Sequence, residues 1–551
     1  MSLRTDITRA IADARDRAVA SGALTIPGGA PLPAIGLERP AQPEHGDWAS
    51  NAAMQLAPVA RSAPMRIAET LVANLEAPPS VADVAIAPPG FLNIRLDPAW
   101  VAAQVGPIRE AGEAYGRNLV ETPRRINVEF VSANPTGPLH IGNARGAFVG
   151  DVLSRVLTAA GHAVTREYYF NDFGGQVKAL GASVRALRAG DPIPEDGYRG
   201  EYVKEMVASV PDEVVRAAEA ATGDEVDWVY GRWASEVQRL GIEQSLAALG
   251  VAFDVWKTES SIHDEGWVSR GVERLRKAGY VFENEGATWF RATSFGEDQE
   301  RVIYRSNGQP TYFAADIGYV SEKFSRGFDE LIYVWGENHH GAVARLVHAA
   351  EALGHDPDAV RILLYSWVRF VREGEAVSMS KRSGEFIGLD DLMREVGADA
   401  VRWFFSSRAF TSGIDFDLEL AKKQSSENPV YYVQYAHARA SSILRNAAEG
   451  GTPPDAGRTG ELLAHPAELE LIRHLLDFPD TVAIAAERRE THEVPRYAYE
   501  LASAFSAFYR DCKVLTDDAS LSSARLALVD ATRAVLANAL DLLGISAPDS
   551  M

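Results

Sequence analysis

With 551 residues, 46% of them apolar and 24% charged, the chain has the balance of a soluble globular protein and is too long for one ordinary core, so about three domains are expected. Its net charge of −21 argues against unspecific nucleic-acid binding, which needs a basic surface, although a local basic face can coexist with an acidic remainder. The single cysteine, Cys512, excludes an intrachain disulfide and a cysteine metal cluster; it reads as a small buried hydrophobe and fits a reducing cytoplasm.

Residues 1–20 carry Asp6, Asp13 and Asp16 among apolar residues at helical spacing, which predicts an amphipathic helix rather than a signal peptide. No run approaches a membrane span, and even the apolar stretch 526–543 is interrupted by Asp530, Arg533 and Asp541, so no membrane partner is expected. Residues 1–110 read as a small α/β domain. A Pro/Gly-rich connection leads to Gly46-Asp47 before an alanine-rich helix, and 90–95 (GFLNIR) form a closing strand.

The chain is organised around the stretch 125–150, RINVEFVSANPTGPLHIGNARGAFVG. Ile126, Val128 and Phe130 alternate with Asn127 and Glu129 as in a strand, and 133–138 are too rich in Pro and Gly for a regular element. From Gly142 onward Phe148, Val149, Val152, Leu153, Val156 and Leu157 recur at helical spacing, with Gly146, Ala147 and Gly150 keeping one face slim. A tight turn feeding a helix N-terminus suits an anion, because unpaired N–H groups and the positive dipole end meet there. His140 and Asn143 share one helical face, with Gly142 between them to admit a base or ribose.

A second strand is expected at 162–169, then Asn171-Asp172, which reads equally as a ligand contact or a helix cap. Strand, helix, strand suggests a right-handed parallel unit, whose ligands gather beyond the carboxyl ends of the strands. Residues 183–249 turn helical and charged, as an insertion without a second reactive cluster, so editing is not expected. The α/β pattern resumes at 252–256 and continues through 289–291, 302–304 and 331–335.

Tyr312 and Asp316 are four apart and would project from one helical face. With Glu129 at a strand end they offer two carboxylates and a ring, a set that suits a planar guanidinium; structural ion pairs are the blander reading of the same residues. In 335–341 (WGENHHG), His339 and His340 with nearby His348 lack the spacing of a zinc site, so no metal is expected. The basic, Ser/Gly-rich 377–384 (VSMSKRSG) comes after the strand-like 362–371 and by itself is a solvated loop. Beyond 399–403 the sequence is helical almost throughout; Tyr497, Phe505, Phe508 and Tyr509 read as a core stripe. Internal repeats and low-complexity tracts are absent.

Together, EFVSANPTGPLHIGNARG resembles the HIGH signature of class I aminoacyl-tRNA synthetases, in the form found in arginyl-tRNA synthetases, with Asn143 standing at the usual second histidine. WGENHHG resembles their WGADHHG, and 378–384 their KMSKS loop, with Ser378 at the first lysine and Lys381 at the second. SENPVYYVQYAHARASSIL (426–444) and the 46–47 and 90–95 segments resemble the same family, so that the likeness covers nearly the whole chain.

The resemblance implies an α/β protein with a Rossmann-like parallel-sheet catalytic domain (111–400), inserted helices at 183–249 and a KMSKS-like loop at 378–384. It implies an amino-terminal α/β domain (1–110) touching the transfer RNA corner and a carboxyl-terminal helical bundle (401–551) holding the anticodon stem and loop. The implied reaction joins L-arginine to tRNA(Arg) with ATP, Mg²⁺ arriving with the nucleotide, in a cytoplasmic monomer whose first step requires bound RNA.

The implied ATP contacts are Pro138, His140, Gly142, Asn143, His339, Met379 and Lys381, of which His140, Asn143 and Lys381 act on the phosphates, with Arg382 as a second cation and Gly384 as a hinge. Glu129, Ser132, Asn134, Tyr312, Asp316 and His339 would line the arginine pocket. Asn428, Tyr432, Gln434, Tyr435 and Arg439 would meet the RNA. A synthetase for another amino acid, or a silent RNA-binding paralogue in view of Asn143 and Ser378, are the alternatives.

Overall fold

The computed structural model describes residues 3–28, 30–40, 42–139, 141–372, 375–376 and 389–551. The amphipathic start forms the helix Leu3–Ala20, whose Ile7 and Ile11 pack over a three-stranded antiparallel sheet of Val81–Ala87, Phe91–Leu96 and Trp48–Ser50. Gly46 is left-handed (φ 92°) because a Cβ there would sit 2.6 Å from the Ile94 carbonyl oxygen. Asp47 accepts from the Leu96 N–H at 2.7 Å and pairs with Arg473 of the carboxyl-terminal helices at 2.5 Å. The helices Pro98–Ala103 and Val105–Ala111 pack on those same carboxyl-terminal helices, where Arg109 meets Asp530 at 2.7 Å, rather than closing the amino-terminal unit.

The central sheet is wholly parallel. Its strands are β1 (Arg125–Phe130), β2 (Ala163–Phe170), β3 (Val255–Thr258), β4 (Glu330–Gly336) and β5 (Val360–Tyr365), in the spatial order β5-β4-β1-β2-β3. The chain winds outward from β1 through β2 and β3, then returns to β1's other side, so the order reverses between β1 and β4. Their carboxyl ends flank the crevice where ligands of such sheets bind. Register aligns Glu129 with Glu167 on one side and Tyr333 on the other, so these side chains share a face with Asn127 and Tyr169. Ile126, Val128 and Phe130 point to the opposite face, under the helix Ile141–Ala160. That helix sits so close that a Cβ on Gly150 would lie 2.1 Å from the Phe130 ring.

The polar face is covered by the helix Tyr312–Ser325. Tyr312, Asp316, Tyr319 and Lys323 recur every three or four positions and form one stripe along it. The inserted helices begin earlier than expected, with Gly175–Ala189, and end with Glu225–Ala248; the two cross where Gly181 and Gly231 leave no room for side chains. β3 lies two to three residues beyond the expected 252–256, and the strand-like 362–371 is broken at Ser366-Trp367 into β5 and Val368–Arg372.

Five long helices, Pro429–Glu449, Pro466–Leu476, Phe478–Arg488, Glu493–Asp511 and Ala519–Leu543, account for most of the carboxyl-terminal region. Tyr497, Phe505 and Phe508 are buried as expected, and so is Cys512; Tyr509 instead faces solvent. Buried Arg402 ties the parts together: it donates to the carbonyls of Leu249 (2.7 Å) and Leu543 (2.6 Å) and pairs with Asp151 of the Ile141–Ala160 helix. Among the described residues no helix is long and apolar enough to cross a membrane.

Candidate active site

β1 ends in a strained bend. Val131 (φ 66°) and Ser132 (φ 41°) are both left-handed, which costs a β-branched residue most, and such strain clusters at functional sites. The bend aims Ser132 into the crevice: its Oγ accepts from the Tyr169 N–H at 3.1 Å and donates to Glu129 Oε1 at 3.3 Å. The next turn is tied down by Tyr168 donating to the Ala133 carbonyl (2.9 Å) and Tyr202 of the insertion donating to the Thr136 carbonyl (2.7 Å). Asn134, Pro138 and Gly142 are exposed along this rim and Asn143 is half-buried.

Across the reversal point, the Tyr365 hydroxyl donates to the Gly142 carbonyl at 3.4 Å, and its ring takes the space a Cβ on Gly146 would need. Arg145 is fully buried and, among the described residues, donates to backbone alone, to the carbonyls of Ser366 (2.8 Å), Trp367 (3.1 Å) and Ala409 (3.0 Å). Burial lowers its guanidinium to about 10, against the opposing pull of Tyr365 and Glu337. After β4, Gly336 leads into the short turn Glu337–His339. His339 is exposed 6.1 Å from the Trp335 ring, its imidazole pushed down by partial desolvation and by Arg345. His348 is held apart from it by Glu297, at 2.9 Å.

Glu129, Asp316 and Glu259 come together beside Tyr169 and Tyr333. Glu129 is buried and paired with buried Lys323 at 2.7 Å; Asp316 lies 2.9 Å from Arg345, misaligned for a hydrogen bond. Each of the two carboxylates thus has a resident cation, as the blander ion-pair reading of these residues expects. Glu259 has none so close. It opens the helix Glu259–Asp264 directly after β3, and Asp172 holds that helix by accepting from the Ser260 N–H (2.8 Å) and Oγ (2.5 Å). This makes Asp172 a cap, the structural alternative. Among the described residues Glu259 Oε2 and the Tyr333 hydroxyl are buried with no hydrogen-bond partner, although the Tyr169 hydroxyl stands close to the Glu259 carboxylate; the nearest cation-capable group described there is His263, at 3.8 Å.

Burial pushes the Asp316 carboxyl up to about 6, against the pull of Arg345, and the charges of Glu129 and Glu259 add to the rise. The Tyr169 hydroxyl is pushed well up by burial and then by the same three acids. Tyr312, 71% exposed, stands one turn before Asp316 at the mouth. A cluster of acids with orphaned polar atoms and a free ring is built for a cation of planar shape.

In the carboxyl-terminal bundle the expected RNA contacts separate into two kinds. Asn428 is buried and donates to the carbonyls of Ala421 (3.1 Å) and Lys423 (2.9 Å); Gln434 is buried and donates to Asp399 (2.8 Å) and Ser546 (2.9 Å). Both amides are spent inside the chain, a correction to their reading as surface contacts. The Tyr432 hydroxyl bonds Ser506 at 3.0 Å. Tyr435 is exposed and Arg439 half-buried beside it: Arg439 donates to the Tyr435 hydroxyl at 2.8 Å and lies 4.6 Å from that ring and 5.0 Å from the ring of Tyr509.

His140, Met379 and Lys381, with the rest of 377–388, lie outside the described residues. Sequence reading missed Glu259, Tyr169, Tyr333, Lys323 and Arg345. The signal for Glu259 was an acid immediately after VWKT, at the carboxyl end of a parallel strand; that for Lys323 was the helical spacing from Asp316 and Tyr319.

Residues 1–96 match the family model of the arginyl tRNA synthetase N terminal domain, 111–404 that of the class I (R) tRNA synthetase catalytic domain, and 433–551 that of the DALR anticodon binding domain. The arginine–tRNA ligase of Heliobacterium modesticaldum is 47% identical over 95% of this chain and 94% of its own. That of Moorella thermoacetica is 45% identical over 99% and 98%. The Thermus thermophilus arginyl-tRNA synthetase structure covers 100% of both chains with a TM-score of 0.79 at 26% identity. The Plasmodium falciparum enzyme, 17% identical over 100% of this chain and 99% of its own, shares the fold with a TM-score of 0.76. These likenesses span every part of the molecule: the chain belongs to the arginyl-tRNA synthetase family.

Proposed function

We propose that in this arginine–tRNA ligase the crevice between β1 and β4 holds ATP and arginine side by side. The guanidinium enters the acid cluster, with Glu259 and Asp316 as its hydrogen-bond acceptors and Tyr312 covering its face. Glu129, Ser132, Asn134 and His339 hold the rest of the amino acid. The carboxylate of arginine then attacks the α-phosphorus of ATP in line, and pyrophosphate leaves with the bridging oxygen. The bond formed is the acyl-phosphate of the adenylate, and a terminal ribose hydroxyl of tRNA(Arg) afterwards takes the acyl group.

No protein nucleophile is needed, so catalysis is positioning and charge stabilisation. Gly142 and Pro138 admit the nucleotide; His140, Asn143, Met379 and Lys381 are assigned to the adenosine and phosphates by their place in the family motifs, and Mg²⁺ enters with ATP. Tyr435 and Arg439 present the RNA face of the bundle, by stacking and phosphate contact. Tyr509, beside them, extends that face. The protein works as a cytoplasmic monomer, with an amino-terminal domain ending near residue 97, a catalytic domain (111–400) and a helical domain (401–551) on which the helices of 98–111 pack.

The observation that carries this reading is the unpartnered oxygen of buried Glu259 beside Asp316, whose carboxyl burial raises to about 6. The test is pyrophosphate exchange with each amino acid, transfer RNA present, on wild type, Asp316→Asn and Glu259→Gln. Arginine alone should support exchange, and both variants should raise KM for arginine much more than KM for ATP. Equal effects on the two substrates would make both acids structural.

A further inference from the structure

Lys323 has no exposed surface and is given no substrate contact in the proposed reaction, yet it lies at the centre of the pocket's charges. Its ammonium is 2.7 Å from Glu129 Oε2 and 3.8 Å from Glu167 Oε1, and stands 4.4 Å and 4.1 Å from the rings of Tyr319 and Tyr333. A buried ammonium is costly unless it is paired, and this one has two carboxylates and two ring faces.

The neighbours leave Lys323 to Glu129. Arg326 grips Glu167 through both nitrogens (2.7 and 2.9 Å), and Tyr319 and Asn127 donate to it as well. Burial pushes the Glu167 carboxyl up, but Lys323 and Arg326 outweigh that and hold it below its usual range. Glu322 is met by Arg326 at 3.0 Å and Lys257 at 3.7 Å. Inside this outer layer stand three acids, Glu129, Asp316 and Glu259, and two resident cations, Lys323 and Arg345. All three acids ionised leave one negative charge, which a single guanidinium cancels.

We propose that Lys323 is a positioning residue for arginine selection: it keeps Glu129 ionised and turned toward the substrate, so that the pocket's charge matches one guanidinium. The inference rests on the proposed arginine pocket. Without the ammonium, Glu129 would lie buried among Glu167, Asp316, Glu259 and the rings of Tyr169, Tyr319 and Tyr333, a setting that disfavours a carboxylate charge.

The test measures kcat/KM for arginine from pH 6.5 to 9 in RNA-dependent pyrophosphate exchange, on wild type, Lys323→Met, Lys323→Arg and Glu129→Gln. At pH 6.5 Lys323→Met should match Glu129→Gln, both about 100-fold below wild type, the size expected for losing a charged hydrogen bond. Toward pH 9 Lys323→Met should recover about tenfold or more as Glu129 ionises, while Glu129→Gln stays flat and Lys323→Arg keeps the wild-type profile. KM for ATP should change less than about twofold in each.

A loss in Lys323→Met that is the same at every pH, or no loss at all, overturns the assignment. If Glu129→Gln still impairs arginine use, the pocket reading survives that failure; if Glu129→Gln is also harmless, the reading of Glu129 falls with it. Should Lys323→Met not fold, calorimetry of arginine binding to the wild type at pH 8, in two buffers of different ionisation enthalpy, decides. No net proton exchange is expected; release or uptake of about one proton overturns the proposal.

Discussion

Arg489, at the end of a helix in the carboxyl-terminal bundle, places its guanidinium 2.7 Å from Glu330, the first residue of β4. Glu330 is wholly buried and also meets Arg124 at 3.0 Å and Arg361 at 3.1 Å. One carboxylate thus joins the amino end of β4 to the carboxyl-terminal helical region. Glu330→Gln strands the nearly buried Arg489 and should cost about 3 kcal/mol, whereas Arg489→Met leaves Glu330 two guanidiniums and should cost less. Urea unfolding followed by tryptophan fluorescence checks the order; Arg489→Met being the worse variant contradicts it.

Gly150→Ala sets two effects against each other. Helix propensity favours alanine by about 1 kcal/mol, but the new methyl would meet the Phe130 ring and overpacking costs about 1–3 kcal/mol. The clash should win, lowering the urea midpoint. A midpoint at or above that of wild type would show that strand and helix can separate cheaply.

Burial pushes the Asp316 carboxyl up to about 6, and the proposed guanidinium contact would favour its charged form. The carboxyl is raised above its unfolded value, so its protonated form is the one folding favours and this contribution to stability is lost as pH rises through about 6. Arginine binding runs the other way and strengthens over the same interval. KM for arginine should rise about tenfold between pH 7 and 5, beyond any change in KM for ATP. A flat profile in that window would remove Asp316 from the contact.

His140→Ala should lower turnover about 10²–10³-fold with little change in thermal stability, the usual effect of removing a donor to developing charge. Steady-state charging and a thermal melt check both halves of the statement. Near-wild-type turnover would take His140 out of the mechanism.

On the bundle, Tyr435→Ala should raise KM for the transfer RNA about tenfold and leave RNA-independent ATP binding alone, in keeping with the strength of a base–ring stack. Gln434→Ala, one residue away, should instead lower stability, since its amide holds Asp399 and Ser546. Equal effects of the two on RNA affinity would mean that this helix face is not the RNA surface.

The comparison of adjacent Gln434 and Tyr435 shows where sequence reading reaches its limit. Spacing and motif placed both on one helix, yet one side chain points to the carboxyl-terminal tail and the other to solvent, because the turn of the helix decides burial only once a neighbour is present. Tyr509 misled in the same way: it continued an apolar stripe, but its ring is left open to solvent beside Arg439.

The sequence by itself determined the elements and their order: alternation made β1, the Pro/Gly run ended it, and small residues opened the helix that Phe130 needs close by. These are local effects, set by backbone sterics and side-chain periodicity. It also determined the family, through motifs far apart in the chain. Only the tertiary structure decided that Glu129 is paired with Lys323 while Glu259 is not. That outcome depends on which cations a folded sheet and its covering helix bring within a few ångströms, and charge balance in a buried pocket is a property of the whole neighbourhood.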